Sequence, residues 1–313
     1  MRFSLSEDHT ALRDAVRDLL AKEATPAVVR AAWDAPAGEL DRGVWDSLDA
    51  MGVLGVLVPE ADGGLGLDET FLVPILEEAG RVALPHPLVE TAMVAAPLLG
   101  AGAGMIASDL GGPLVPCAAD ADRLLLRWGH TLAIADRDAI ELTAASTVDG
   151  ARRAAYVTHD STGEPLTDDP AVIELALDRG ALGTAAMLVG LGQAMLDLTV
   201  GYVTQRQQFG VPIGSFQAVK HHLADAALAL EPRRPPILSR GTDRETAENP
   251  LIFRPIGRLH WALPFDGHLL RFRREFQPLR RASWRPRSFF STTCRSSSFS
   301  ASRSPSPPPS PWR

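Results

Sequence analysis

Between Pro170 and Gln205 no second proline interrupts the chain, and apolar residues recur every three or four positions. Leu182, Ala185, Val189, Gly192, Leu196, Thr199 and Val203 fall on one face of a helix. Leu188, Leu191, Met195, Leu198 and Tyr202 fall on a second face. The spacing predicts one helix of about 36 residues, about 54 Å long at the standard rise. Apolar on two faces, it is predicted to lie between other helices, with the small residues Gly190 and Gly192 allowing close approach. The same stripe of Met and Gly reads as core, not as a cofactor box.

This rod runs into Tyr202–Gln217, YVTQRQQFGVPIGSFQ, and a further helix is expected from Ser215. Arg206 carries a planar fork of donors suited to a pyrophosphate. The amides of Gln208 and Gln217 can meet a nucleotide edge or ribose hydroxyls, and Phe209 offers a ring face to a purine. Gly210 and Gly214 let the backbone turn tightly. By chemistry alone a plainer reading stands beside this one, in which Arg206 neutralises the end of the helix dipole.

Upstream, Ser4-Leu-Ser-Glu7 reads as a capping box ahead of a helix with Leu5, Leu12, Val16, Leu19 and Leu20 on its buried side. A short helix follows Pro26, and another carries Val44, Trp45, Leu48 and Met51. Gly63, Gly64 and Gly66 could cradle a phosphate, but no βαβ unit surrounds them. A tight turn delivering Asp68 as a helix N-cap is the better reading. Glu69–Arg81 and Leu88–Leu99 read as helices, the first interrupted at Pro74. His86, between two prolines, reads as a surface loop residue. From Leu114 the pattern changes to short runs, Leu124–Trp128, Thr131–Ile134, Ala139–Thr143 and Ala155–Thr158, which predict an antiparallel sheet of four to six strands.

No pair of cysteines has metal-ligand or disulfide spacing, since Cys117 and Cys294 lie far apart. His221 and His222 are adjacent on a helix and point apart, so no metal site is expected. No run of 18 uncharged apolar residues with membrane character and no leader-like start stand out. The expectation is a cytoplasmic protein with neither membrane nor nucleic acid as partner.

Arg206-Gln-Gln-Phe-Gly210, then Ser215-Phe-Gln217 and a Lys220-His-His-Leu-Ala-Asp225 helix, resemble the acyl-CoA dehydrogenase family. So do Pro59-Glu-Ala-Asp-Gly-Gly-Leu-Gly66 and the Glu77-Glu-Ala-Gly-Arg81 helix, while Pro85–Thr91 looks like short members of the family. The resemblance covers about residues 3–231. It implies an α+β, mainly α fold: an N-terminal helical domain (1–113), an abbreviated β-domain (114–169) and a truncated C-terminal helical domain (170–231). It also implies FAD as cofactor, with Arg206, Gln208, Phe209 and Gln217 contacting it across a subunit interface. Acyl-CoA would be the substrate, electron-transfer flavoprotein the acceptor, and a homologous acyl-CoA dehydrogenase subunit the partner. Fatty acid or steroid side-chain catabolism would be the setting.

Three departures bear on activity. The family's Phe-x-Met-Thr-Glu-Pro with Gly-Ser-Asp, and its Lys-x-x-Ile-Thr-Asn, are absent. The family's base is a glutamate, in most members in the C-terminal segment and in some early in the long helix. Here the early position falls at about Gly180, with Asp178 near but turned away, so no catalytic residue is named. Two function classes remain open: a dehydrogenase subunit of a heteromeric enzyme, and a non-catalytic subunit that completes another chain's FAD site or has lost activity with its C-terminal domain.

Residues 1–231 carry 33 acidic and 15 basic side chains with two lysines, Lys22 and Lys220, whereas 232–313 carry 5 acidic residues, 16 arginines and 13 of the 25 prolines. That Arg/Pro/Ser-rich segment reads as a disordered tail or as a shifted reading frame of a GC-rich gene, the latter preferred. Translating the coding DNA around codon 231 in the other two frames checks this. An open frame resuming with helical apolar periodicity is expected, and stop codons in both would rule the shift out.

Overall fold

The structure, a computed structural model, describes residues 5–159 and 163–231. What was read of Ser4, Cys294 and the 232–313 tail falls outside them. Helices α1 (Glu7–Glu23), α2 (Pro26–Asp34), α3 (Gly43–Ala50) and α4 (Glu69–Arg81) lead into a π-helix (Val89–Ala95) and the short α5 (Ala96–Leu99). Seven strands follow: β1 (Ile106–Ser108), β2 (Leu114–Pro116), β3 (Arg123–Trp128), β4 (Thr131–Asp136), β5 (Glu141–Ala145), β6 (Ala154–Thr158) and β7 (Glu164–Thr167). The long α6 (Pro170–Gln205), a two-residue hairpin of β8 (Gln207–Gln208) and β9 (Val211–Pro212), and α7 (Gln217–Leu230) complete the described chain.

The helix starts are written locally. Ser6, Thr25, Asp68 and Asp169 each accept a backbone N–H of the following first turn, and Pro26 and Pro170 occupy first-turn positions that need no donor. The cap of α1 is Ser6, which accepts from His9 N, and not the Ser4 of the expected box. Asp68 does cap α4, receiving Thr70 N at 2.9 Å.

The β-region holds two sheets rather than one, and its first strand precedes residue 114. Four strands in the order β1-β3-β4-β7 form the first sheet, with β1 parallel to β3; β2-β6-β5 form the second. The four periodic runs became β3 to β6, while the three- and four-residue β1, β2 and β7 gave no legible period. The first sheet is the middle layer. Leu125, Leu132 and Ile134 join the core shared with the helices, and Leu124, Leu126 and Ala135 join a second core against the other sheet. Burial on both faces is why β3 reads as an unbroken Leu124-Leu-Leu126 run instead of alternating. The main core takes residues from Val16 to Val189, so helical and β segments share it.

Strand β1 has a free edge, and the π-helix answers it. Thr91 Oγ1 donates to Ile106 O at 3.1 Å and accepts from Ile106 N at 3.0 Å, both buried. One hydroxyl thereby satisfies two backbone groups that water cannot reach.

Helix α6 matches its expected length, and its N-terminal half packs on α4 by backbone approach. A Cβ on Gly190 would sit 1.9 Å from Glu77 O, and one on Gly80 2.1 Å from Met187 O. Ion pairs flank this seam, Arg179–Glu69 at 2.8 Å and Arg81–Asp197 at 2.7 Å. The expectation that both apolar faces lie between helices is wrong. Leu188, Leu191, Met195, Leu198 and Tyr202 are exposed, because α4 and the π-helix cover one side only. Past Gly190 the only buried residue of α6 is Val203, and α7 has no buried residue at all. Leu230 of α7 meets Gly192, where an added Cβ would fall 2.7 Å from its side chain. By length and composition α6 could also cross a membrane, contrary to the sequence reading, but here one side of it is core.

Gly190→Ala forces the helices apart and is expected to cost at least about 1–3 kcal/mol. Thr91→Val leaves the Ile106 N–H unsatisfied and is expected to cost about 1–3 kcal/mol. Urea-induced unfolding midpoints measure both.

Candidate cofactor site

At the far end of α6 the backbone turns at Arg206, whose N–H reaches Tyr202 O at 2.9 Å. Gln207 pairs with Pro212 and Gln208 with Val211, leaving Phe209 and Gly210 as the two-residue loop. Both have positive φ, 52° and 80°, as a two-residue turn of this hand requires. Gly210 takes that conformation at little cost, whereas Phe209 is strained by about 1–2 kcal/mol. Ile213 N then returns to Arg206 O at 2.8 Å, and a short 3-10 turn delivers Phe216 as N-cap of α7 without a side-chain cap bond. Gly214 lies where a Cβ would be 3.0 Å from Val203 O, which lets this turn sit against α6.

All four expected FAD contacts, Arg206, Gln208, Phe209 and Gln217, stand on this corner and are exposed. Phe209 is 91% exposed, its ring edge-on to Phe216 at 6.3 Å. Among the described residues no hydrogen bond or ion pair engages the Arg206, Gln208 or Gln217 side chains. A strained, exposed ring beside an unpaired guanidinium and two amides fits the diphosphate and adenine end of a dinucleotide; Gln217 opens α7, whose first-turn N–H groups suit an anion. The corner holds no carboxylate. The position read for an early base, Gly180, lies 26 residues back along α6, about 39 Å at 1.5 Å per residue. An added Cβ there would touch Val94 at 3.4 Å. Neighbouring Arg179 is paired to Glu69, and Asp178 is not a free carboxylate.

Other chemistry-bearing residues are structural. The N–H groups of Gly63, Gly64, Leu65, Gly66 and Leu67 all donate to carbonyls between Gly55 and Glu60, so this loop has none left for a phosphate. A Cβ on Gly64 would fall 2.2 Å from Val58 O. Burial pushes the Cys117 thiol up to about 12, and its Sγ–H donates to Pro85 O at 3.2 Å, which leaves it unreactive. His86 is not a surface residue: it is 1% exposed, stacked against Trp45 with ring centroids 5.8 Å apart. Sequence reasoning missed it because its neighbours come from a segment some 40 positions away. It also missed the His159–Asp109 pair at 3.2 Å, where burial raises the Asp109 carboxyl. Among the described residues no cluster could hold a metal ion.

The comparisons with known proteins agree with this architecture. The acyl-CoA dehydrogenase N-terminal domain model matches residues 6–105, and the C-terminal domain model residues 170–234. Acyl-CoA dehydrogenase IpdE2 of Mycolicibacterium smegmatis is 34% identical over 233 residues, covering 71% of this chain and 72% of its own length. Among solved structures, the Tcur3481–Tcur3483 steroid ACAD shares the fold with a TM-score of 0.67 at 27% identity, covering 78% of this chain and 80% of its own. The ChsE4–ChsE5 complex of Mycobacterium tuberculosis gives 0.69 at 22% identity over 79% and 80%. Helices around two small sheets, with a long helix ending in a glycine-turned corner, are the fold shared with these acyl-CoA dehydrogenase structures. The chain belongs to the acyl-CoA dehydrogenase family, an oxidoreductase family whose members generally bind FAD.

Because the exposed Arg206 side chain makes no hydrogen bond or ion pair among the described residues, Arg206→Ala is expected to leave the unfolding free energy of the isolated protein within about 0.5 kcal/mol of wild type. Thermal melts followed by circular dichroism check this.

Proposed function

We propose that this chain is one subunit of a heteromeric, FAD-dependent acyl-CoA dehydrogenase, and that its α6–α7 corner completes the FAD site of a homologous neighbouring subunit. The observation that carries this is the corner itself. Arg206, Gln208, Phe209 and Gln217 stand exposed at the α6–α7 corner, and among the described residues no hydrogen bond or ion pair engages the Arg206, Gln208 or Gln217 side chains; Arg206 lies about 39 Å along the helix from Gly180. In this reading Arg206 holds the diphosphate, Phe209 stacks on the adenine, and Gln208 and Gln217 donate to polar edges. Bound FAD supplies the two-electron acceptor for oxidation of the α,β-carbons of the acyl thioester. The carboxylate that removes the α-proton comes from the other subunit. An electron-transfer flavoprotein receives the electrons, and the setting is cytoplasmic.

Two further observations favour a partner subunit. Leu198 is 75% exposed and Leu228 70%, and with Leu188, Met195 and Tyr202 they give α6 and α7 an apolar surface of the kind that marks protein interfaces. Two solved structures with this fold are of paired proteins, Tcur3481–Tcur3483 and the ChsE4–ChsE5 complex. The divisions at 113, 169 and 231 are part of the same proposal, a helical base, a β layer and a helical arm, with β1 of the β layer falling ahead of the first division.

Two measurements test the reading. Co-purification with catalytic homologues should give a flavin-containing complex, and Arg206→Ala should lower its flavin affinity by at least tenfold while leaving subunit association intact. Unchanged stoichiometry and affinity would remove Arg206 from the site. The isolated chain supplied with FAD should fail to reduce a dye acceptor with any acyl-CoA, and activity should appear on mixing with a catalytic subunit. Turnover by the isolated chain that Asp178→Asn abolishes would place the base here after all.

A further inference from the structure

The segment 35–42, between α2 and α3, is tied to the β-region by a set of polar contacts. Gly38 N–H donates to Asp120 Oδ1 at 2.9 Å, and Arg42 reaches Asp122 at 2.7 Å and Asp120 O at 3.1 Å. Arg153 donates to Ala32 O and Ala35 O, each at 2.8 Å, and pairs with Asp120 at 2.9 Å. On the opposite side His86 closes the set: its Nε2–H donates to Asp41 O at 2.8 Å, and its ring stacks on Trp45 of α3. Its Nδ1 is buried and has no hydrogen-bond partner.

We propose that His86 is an acid-sensitive latch, which in its neutral form holds the Asp41 end of segment 35–42 and Trp45 in place and on protonation lets them go. The neutral ring fits because Nε2 needs only the Asp41 carbonyl, and Nδ1 then presents a lone pair. Protonation adds a second N–H at Nδ1, which has no hydrogen-bond partner, and puts a charge on a ring that is 1% exposed. The charged groups around it offer little relief. Asp41 contributes its carbonyl and the attraction of its carboxylate, Arg42 repels a second cation, and Asp120, which holds Arg153 and Gly38 on Oδ1, attracts only through space; burial outweighs them. The ring can become an imidazolium only by leaving, which breaks the Asp41 contact and unseats Trp45 from its stack.

Burial holds the His86 imidazole below its usual value, so the released state takes up the proton first. The latch is therefore fully closed above about pH 6.5 and weakens as pH falls below it. The Asp122 carboxylate belongs to a lower window. Burial raises it, but Arg42 and the Met105 N–H outweigh that and hold it below the usual range, so the Arg42 tie persists while His86 titrates.

Hydrogen–deuterium exchange of the full chain at pH 8.0 and pH 5.5, corrected for intrinsic chemical rates, reads the latch directly. Peptides spanning 35–42 should lose protection about tenfold or more at pH 5.5, while peptides from α4 and from the buried part of α6 do not change. His86→Gln keeps an amide donor for Asp41 O and cannot titrate, so its 35–42 protection should be the same at both pH values. Equal protection of wild type at both pH values overturns the proposal, as does acid loss of the same size in His86→Gln. Should that variant fail to fold, the imidazole resonance of wild-type His86 decides. Titration at or above 6.5 with 35–42 still protected overturns it; titration below 6.5 coincident with loss of protection supports it.

Discussion

Everything in this fold hangs from the point where Gly190 of α6 passes the carbonyl of Glu77 on α4. There is no room for a side chain there, so the two helices meet backbone to backbone; Gly80 extends the same close approach, and Gly183 admits the side chains of Leu76, Val89 and Met93. That contact decides how much of a helix long enough to span the whole domain is core and how much is arm. Up to Gly190, α6 is packed by α4 and the π-helix; beyond it Val203 is the one buried residue of the helix, which ends at the Arg206–Gln217 corner. The ion pairs Arg179–Glu69 and Arg81–Asp197 fix orientation at a seam whose glycines supply proximity but little specificity.

The β-region depends on that seam at one remove. The π-helix packs on Gly183 with Val89 and Met93 and presents Thr91 to β1 from the same few residues. A regular helix would advance fewer residues per turn and change which of these side chains faces which neighbour. The middle sheet is thus pinned on one side through a threonine hydroxyl and on the other by the second apolar core.

The corner was legible as residues but not as a site. Arg206, Gln208, Phe209 and Gln217 could be named from the sequence, and Gly210 is required by the turn that displays them. What the sequence left open was whether Arg206 merely caps a helix. In the folded chain the Arg206 backbone does the capping, and its guanidinium makes no hydrogen bond or ion pair among the described residues. An exposed Phe in the left-handed region is costly without a partner, and that gives the family resemblance its physical content.

Local chemistry by itself determined the ends of α6, the Asp68 cap, the two-residue turn at Phe209–Gly210 and four of the seven β-region strands. Each follows from dihedral preferences and hydrogen-bond needs satisfied within a few residues. Tertiary structure alone decided which apolar face of α6 is covered, where β1, β2 and β7 lie, and that His86 is buried. Periodicity records that a face is apolar, not what comes to rest on it, so a second stripe on α6 looked like core and is surface. His86 sits between prolines in a stretch that looks like loop. It became core only because Trp45 and Asp41, distant in the chain, fold over it and leave its Nδ1 with nothing to bind.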